Sequence, residues 1–318
     1  MKSPFAECDA VLCHEPYIQK YRGEEYPTVY QYYKCLTTGL QFTSTELDEA
    51  NISQVYNAYR AEHGIPFPDE IKELRKYYGL SAAKMSAILG FGTNQYRLYE
   101  DGEVPSVSNA RILLAIRDRQ TFLDFLEAAK AGLGEIEYNK IRTRVSTLAD
   151  YPRTGIERSR LNGFKGFSRE KIAAVVAQLI SEMDGVFVTK MNKLLFYVDF
   201  LAFKRRGLGI TGLKYRAMQF GPVPQDWGRL YGSLQGITME ECMVSDNTNG
   251  IKLQMTEQPD DSSLDDFEMG IIKDVIAQFK TMNARDISEF SHRERGWLDN
   301  QSDRTPIDYN YAFDLSID

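Results

Sequence analysis

The chain has 318 residues, 43% hydrophobic and 26% charged, with a formal charge of −7; one core rarely serves that length, so two or three domains are expected. No apolar run reaches membrane-span length, the first residues lack a signal peptide's basic start and apolar core, and four scattered cysteines make no disulfide framework. A cytoplasmic protein with no membrane partner is expected, and the negative charge excludes one that coats nucleic acid over its whole surface while leaving room for a small DNA-reading module.

Residues 1–43 are rich in Tyr and Thr, the composition of short strands, and predict a small sheet. From Ser44 the period changes: Leu47, Ile52, Val55, Tyr56 and Tyr59 fall at helical spacing until Gly64, Pro66 and Pro68 stop the run. Residues 1–64 are therefore read as a ribbon with a connecting helix. Residues 65–132 read as five short helices punctuated by glycine, a compact bundle. The stretch 133–167 has no sustained period and a basic excess, and is read as a linker.

The last segment, 168–318, opens with Ser168 placed to cap a helix whose apolar face is Ile172, Val175, Val176, Leu179, Ile180 and Met183, closed by Gly185. Thr189 is placed to cap a second helix, with Met191, Leu194, Leu195, Val198 and Leu201 as its stripe up to Gly207. A hairpin turning at Asn247 to Gly250 and a helix from Leu264 to Met282 follow. The fold class is mainly α with small β-sheets.

The stretch GLSAAKMSAILGFGTNQYRLYEDGEVPS reads as a helix-turn-helix: a helix over Ala82 to Leu89, a glycine turn, and a second helix starting near Thr93. The first residues of such a second helix meet base edges, which makes Thr93, Asn94, Gln95 and Arg97 the candidate base readers. Ser81, Lys84, Ser106 and Asn109 are candidates for phosphate contacts, and Tyr96, Tyr99 and Glu100 for packing and capping. The stretch resembles the Xre-class helix-turn-helix of MqsA-type antitoxins, in which an Asn and a slightly later Arg contact DNA. Asn94 matches that Asn; the later position is Leu98, with Arg97 displaced by one residue, or about 100° around a helix.

In MqsA-type proteins the preceding region is a zinc ribbon with two C-x-x-C pairs. The corresponding frame here reads Ser3 and Ala6, then Cys35 and Thr38, so no metal and no other cofactor is expected. A replacement set of Cys8, Cys13, His14 and Cys35 has non-standard spacing, and His63 and Cys242 are read as structural.

An enzyme would have to gather Lys193, Tyr197, Asp199 and His292, but the chain lacks a nucleophile elbow, a phosphate-binding glycine loop and an H-E-x-x-H motif. The corner GLKYRAMQFGPVPQDWGRLYG places Gly221, Pro222 and Pro224 as a rigid bend, with Trp227 and Tyr231 available to a partner. The spacings K-L-L-x-Y-x-D-F, I-T-G-x-x-Y-x-A-x-x-x-G-P-V-P and S-x-x-S-H-x-E-x-x-W, over roughly 168–300, resemble the SocA-like Panacea domain of antitoxins. By that resemblance Lys193, Leu194, Tyr197, Asp199, Gly212, Tyr215, Gly221, Pro222, His292 and Trp297 hold motif positions. It implies a helical domain with a small sheet that neutralises a cognate toxin by direct contact; joined to the helix-turn-helix, the reading is a non-enzymatic antitoxin that, as a homodimer on operator DNA, regulates its own operon. The alternative is a helix-turn-helix regulator whose C-terminal domain senses a ligand or dimerises.

Overall fold

The computed structural model describes residues 1–152, 157–183, 185–245, 248–257 and 260–317. The Tyr- and Thr-rich start forms two twelve-residue antiparallel strands, β1 (Ala10–Tyr21) and β2 (Glu24–Cys35), and β3 (Gln41–Phe42) lies beside the end of β2. Arg22 and Gly23 turn the hairpin at φ 49° and 88°, the left-handed pair that matches strand twist. Helix α1 (Thr45–His63) then covers the part of β2 that β3 leaves open. Its Asn51 amide exchanges two hydrogen bonds with the backbone of Gln31, both 2.9 Å, and its Gln54 amide does the same with Val29 at 2.9 and 2.8 Å. Side-chain amides thus satisfy a strand edge that would otherwise be left unpaired.

Next come α2 (Pro68–Tyr78), α3 (Ala82–Leu89), α4 (Gln95–Glu100), α5 (Val107–Ala115), α6 (Arg119–Ala128), α7 (Lys130–Leu133) and α8 (Glu135–Ser146). Their shared core includes Ile71, Leu74, Met85, Tyr96, Leu113 and Leu126, with Tyr78 stacked on Phe122 at 3.8 Å between ring centres. Part of the stretch read as a linker is therefore ordered helix: Tyr138, Ile141 and Val145 of α8 are buried in this same core. Three apolar residues at helical spacing among charged neighbours make too thin a stripe to read as periodic. Residues 153–156 of that stretch lie outside the described residues.

The remainder holds α9 (Arg169–Ser181), β4 (Val186–Phe187), α10 (Val188–Arg206), β5 (Tyr215–Met218), β6 (Gly221–Pro224), α11 (Trp227–Leu230), β7 (Ile237–Ser245), β8 (Thr248–Met255), α12 (Asp266–Phe279), α13 (Ala284–Ser291) and α14 (Arg295–Leu298). Sheets β4-β8-β7 and β5-β6 are antiparallel. Helix α10 is buried on every face from Lys190 to Lys204 and forms the axis of the core, packed by α9, α12, α13 and β6. Ser168 caps α9 as expected, accepting from the Lys171 amide at 3.2 Å. Thr189 does not cap α10: the chain enters that helix straight from β4, with Phe187 at the cap position and no side-chain cap bond. Part of the expected hairpin turn, at Asn247, lies outside the described residues.

The compact units do not follow chain order. Residues 1–58 cluster with 156–318, and residues 59–155 form the other unit. The ribbon, read from sequence as a separate segment, is bonded into the first unit: Gln31 Nε2 donates to the Lys204 carbonyl at 2.9 Å and Asn57 Nδ2 to the Gly207 carbonyl at 3.0 Å. Among the described residues no helix is long and apolar enough to cross a membrane.

Candidate functional site

In the unit 59–155, Ser81 caps α3 by accepting from the Lys84 amide at 3.3 Å, and Ser106 caps α5 by accepting from the Asn109 amide at 3.1 Å. Between these caps, α4 starts at Gln95, two residues later than the sequence suggested, with Asn94 at the cap position and no side-chain cap bond. The turn matters for what it leaves free: Thr93, Asn94, Arg97 and Leu98 are exposed, while Tyr96 and Tyr99 are buried. The other candidates are engaged within the unit. Gln95 donates to Glu103 at 3.1 Å, Lys84 is ion-paired with Glu137, and Asn109 donates to the Tyr99 hydroxyl at 2.7 Å. Arg97 lies 3.6 Å from Asp101 in an exposed pair that solvent screens heavily. Arg75 on α2 grips Glu100 through two bonds, 2.5 and 3.1 Å, and so fixes the far end of α4.

In the unit of 1–58 and 156–318, the motif residues are load paths of the fold. Asp199, fully buried on α10, accepts from the amides of Ile210 and Thr211, both at 2.8 Å, from the Tyr215 hydroxyl at 2.7 Å and from the Thr211 hydroxyl. One carboxylate thereby fastens the loop after α10 to the start of β5. Burial pushes this carboxyl upward, while the Thr211, Tyr215 and Ile210 donors pull the other way. Two residues earlier on α10, the Tyr197 hydroxyl donates to Glu294 Oε1 at 3.0 Å, and the Ser316 amide donates to Glu294 Oε2 at 3.1 Å. Glu294 sits inside the third motif but was not singled out from the sequence; its burial at 1% exposure identifies it as a tie between α10 and the chain's last turns.

The corner itself is the β5-β6 hairpin. Gly221 has φ 102°, and a Cβ there would press on Ser291 Oγ and come within 2.8 Å of Lys193 Cε, so only glycine fits. Lys193 is 1% exposed, and burial pulls its ammonium down to about 8. His292 stacks on Trp297 at 4.1 Å and 17°, and the Trp297 indole donates to the Met218 carbonyl at 2.8 Å. Burial and then the Lys193 cation lower His292, whose enclosed Nε2 has no hydrogen-bond partner among the described residues. Tyr231, expected to be available to a partner, is fully buried and donates to Asn192 at 2.7 Å. Pro222 is buried as well. What the corner exposes is Phe220 at 63% and Trp227 at 36%, with Arg216 and Arg229. Phe220 was not picked out from the sequence, since only the hairpin's register reveals it as the tip.

Of the four groups an enzyme would need, three are engaged, Asp199 with Ile210, Thr211 and Tyr215, Tyr197 with Glu294, and His292 in the Trp297 stack, and the fourth, Lys193, is buried. Clefts of about 570 and 800 Å³ open beside Arg169 and Lys190, and neither is lined by Asp199 or His292. In the ribbon, the zinc frame does not fit a tetrahedral ion: Ala6 has no donor, and Ser3 and Thr38 offer only hydroxyls. The replacement set is not gathered either. Cys13 pairs across the sheet with Tyr32, and His14 reaches Asp314 at 3.2 Å.

Residues 191–298 match the family described as Antitoxin SocA-like, Panacea domain, a span that runs from within α10 to the end of α14 and holds all three motifs. No curated protein and no solved structure matches the chain.

Proposed function

We propose that this protein is an antitoxin that neutralises a cognate toxin by direct contact through its C-terminal domain and represses its own operon through the helix-turn-helix. The match of residues 191–298 to SocA-like antitoxins carries the reading. Burial of the motif side chains supports a division of labour: Lys193, Tyr197, Asp199, Tyr215 and Trp297 build the scaffold, and Phe220 and Trp227 on the corner meet the toxin. The exposed Thr93, Asn94 and Arg97 enter the major groove, with Ser81 and Ser106 holding the helices that frame them. Such a short reading helix contacts few base pairs, so a homodimer on paired half-sites supplies specificity.

The test is a growth assay in which the adjacent open reading frame is expressed alone and then with this protein. Arrest by the neighbour alone and rescue by the pair is the expected result. A neighbour that is harmless in both cases sinks the antitoxin reading and leaves a helix-turn-helix regulator, which would still shift operator DNA in a gel.

A further inference from the structure

The ribbon brings together two of the four cysteines. Cys8 and Cys35, 27 residues apart, have their Sγ atoms 3.4 Å from one another. The lead-in to β1 folds back on itself, the Ser3 amide donating to the Cys8 carbonyl at 2.9 Å, and it is tied to the end of β2 and to β3 by the Leu36 amide, which donates to the Asp9 carbonyl at 3.3 Å, and by Phe5, which meets Phe42 edge-on at 5.7 Å. Cys35 is 1% exposed, whereas Cys8 is half-buried and reachable from solvent. The Thr38 amide points at Cys35 Sγ at 3.4 Å. Hydrogen bonds from Ser3, then from the Thr38 hydroxyl and amide, outweigh burial and bring the Cys35 thiol down to about 6.

From the contact of these two sulfurs we propose that Cys8 and Cys35 form a reversible disulfide by exchange with a small-molecule disulfide such as oxidised glutathione. A bonded pair of sulfurs stands at about 2.04 Å, so closure asks the two atoms to approach by little more than an ångström. A shared zinc ion is the weaker use of the same thiols, because hydroxyls and a methyl stand at the remaining frame positions.

The exchange runs in two steps. The accessible Cys8 thiolate attacks one sulfur of oxidised glutathione, forming a mixed disulfide and expelling one glutathione thiolate. The Cys35 thiolate then attacks Cys8 Sγ, forming the internal bond and expelling the second glutathione, which takes up a proton. The protein loses two hydrogens and two electrons, and one oxidised glutathione becomes two reduced ones. Cys13 and Cys242 take no part: Cys13 Sγ is directed to the Val11 carbonyl, and Cys242 lies on β7 opposite Gly250.

The test incubates the reduced full-length protein with oxidised glutathione and measures intact mass and linked peptides. The expected result is loss of two hydrogens, a Cys8–Cys35 linked peptide, and a rate at least about tenfold above that of the urea-unfolded chain, because folding holds the sulfurs together. Cys35→Ser should trap glutathione on Cys8, and a Cys13→Ser/Cys242→Ser double variant should close as the wild type does. Free Cys8 and Cys35 after treatment, a bond that includes Cys13 or Cys242, or stoichiometric zinc in the purified protein would each overturn the proposal. The wild-type mass decides the matter even if a variant fails to fold.

Discussion

Helices α10 and α4 both carry sequence motifs, and they use them in opposite ways. On α10 the motif residues Lys193, Tyr197 and Asp199 are at most 1% exposed, and Tyr197 and Asp199 spend their polar atoms on bonds inside the fold. On and before α4, Thr93, Asn94 and Arg97 face solvent, and the buried positions Tyr96 and Tyr99 hold the helix in place. A motif residue that is buried and fully bonded reports how a scaffold is built; one that is exposed and loosely paired is available to another molecule.

Substitutions on the two helices sharpen this contrast. Asp199→Ala strips the partner from two buried amides and two hydroxyls, and should cost roughly 3–5 kcal/mol in denaturant unfolding. A cost under about 1 kcal/mol would return Asp199 to the list of functional candidates. Lys193→Met removes a buried cation. Because folding lowers Lys193 from its ordinary 10.5 to about 8, the unfolded chain binds the extra proton between those values, and wild-type stability rises with pH across that window. The variant's advantage, about 3 kcal/mol below pH 8, should therefore fade by pH 10.5. The buried tyrosines affect both proteins alike and drop out of the difference. A pH-independent difference would contradict the assignment.

On α4 the effect should appear in binding and leave folding alone. Asn94→Ala and Arg97→Ala should each weaken operator affinity by about 1–3 kcal/mol with an unchanged melting midpoint. Unchanged gel-shift affinity in both would take this helix out of the groove. The smallest effect belongs to Ser81→Ala, about 1 kcal/mol of stability through the lost cap of α3. If it also lowers DNA affinity several-fold at a temperature where the protein is folded, Ser81 touches phosphate as well.

Amphipathic stripes made α9, α10 and α12 legible in the sequence, and Ser168 gave away its cap. Three things stayed hidden. Helix α8 offers only Tyr138, Ile141 and Val145 among charges, and the fully buried Ile307 and Tyr309 sit in an extended stretch and at the start of a six-residue 3-10 helix, both too short to show a period. The entry into α10 was misread because Thr189 looks like a cap until β4 is seen to pair with β8. At the candidate site, motif spacing marked Lys193, Tyr197, Asp199, Tyr215, His292 and Trp297, but not that Tyr215 bonds Asp199 or that His292 stacks on Trp297. Ile210 and Thr211 stand in the I-T-G segment, but spacing does not show that their amides turn to Asp199, and the prominence of Phe220 depends on where a hairpin turns.

The grouping of residues 1–58 with 156–318 also sets a timetable during synthesis. Chain leaves the ribosome at about 5–20 residues per second, and residues 59–155 hold a complete core of their own before any of α10 exists. The Gln31 amide and the Asn57 amide must wait for Lys204 and Gly207, more than 140 positions downstream. A nascent chain interrupted between these points carries a foldable helical unit behind a ribbon whose acceptors have not yet been made.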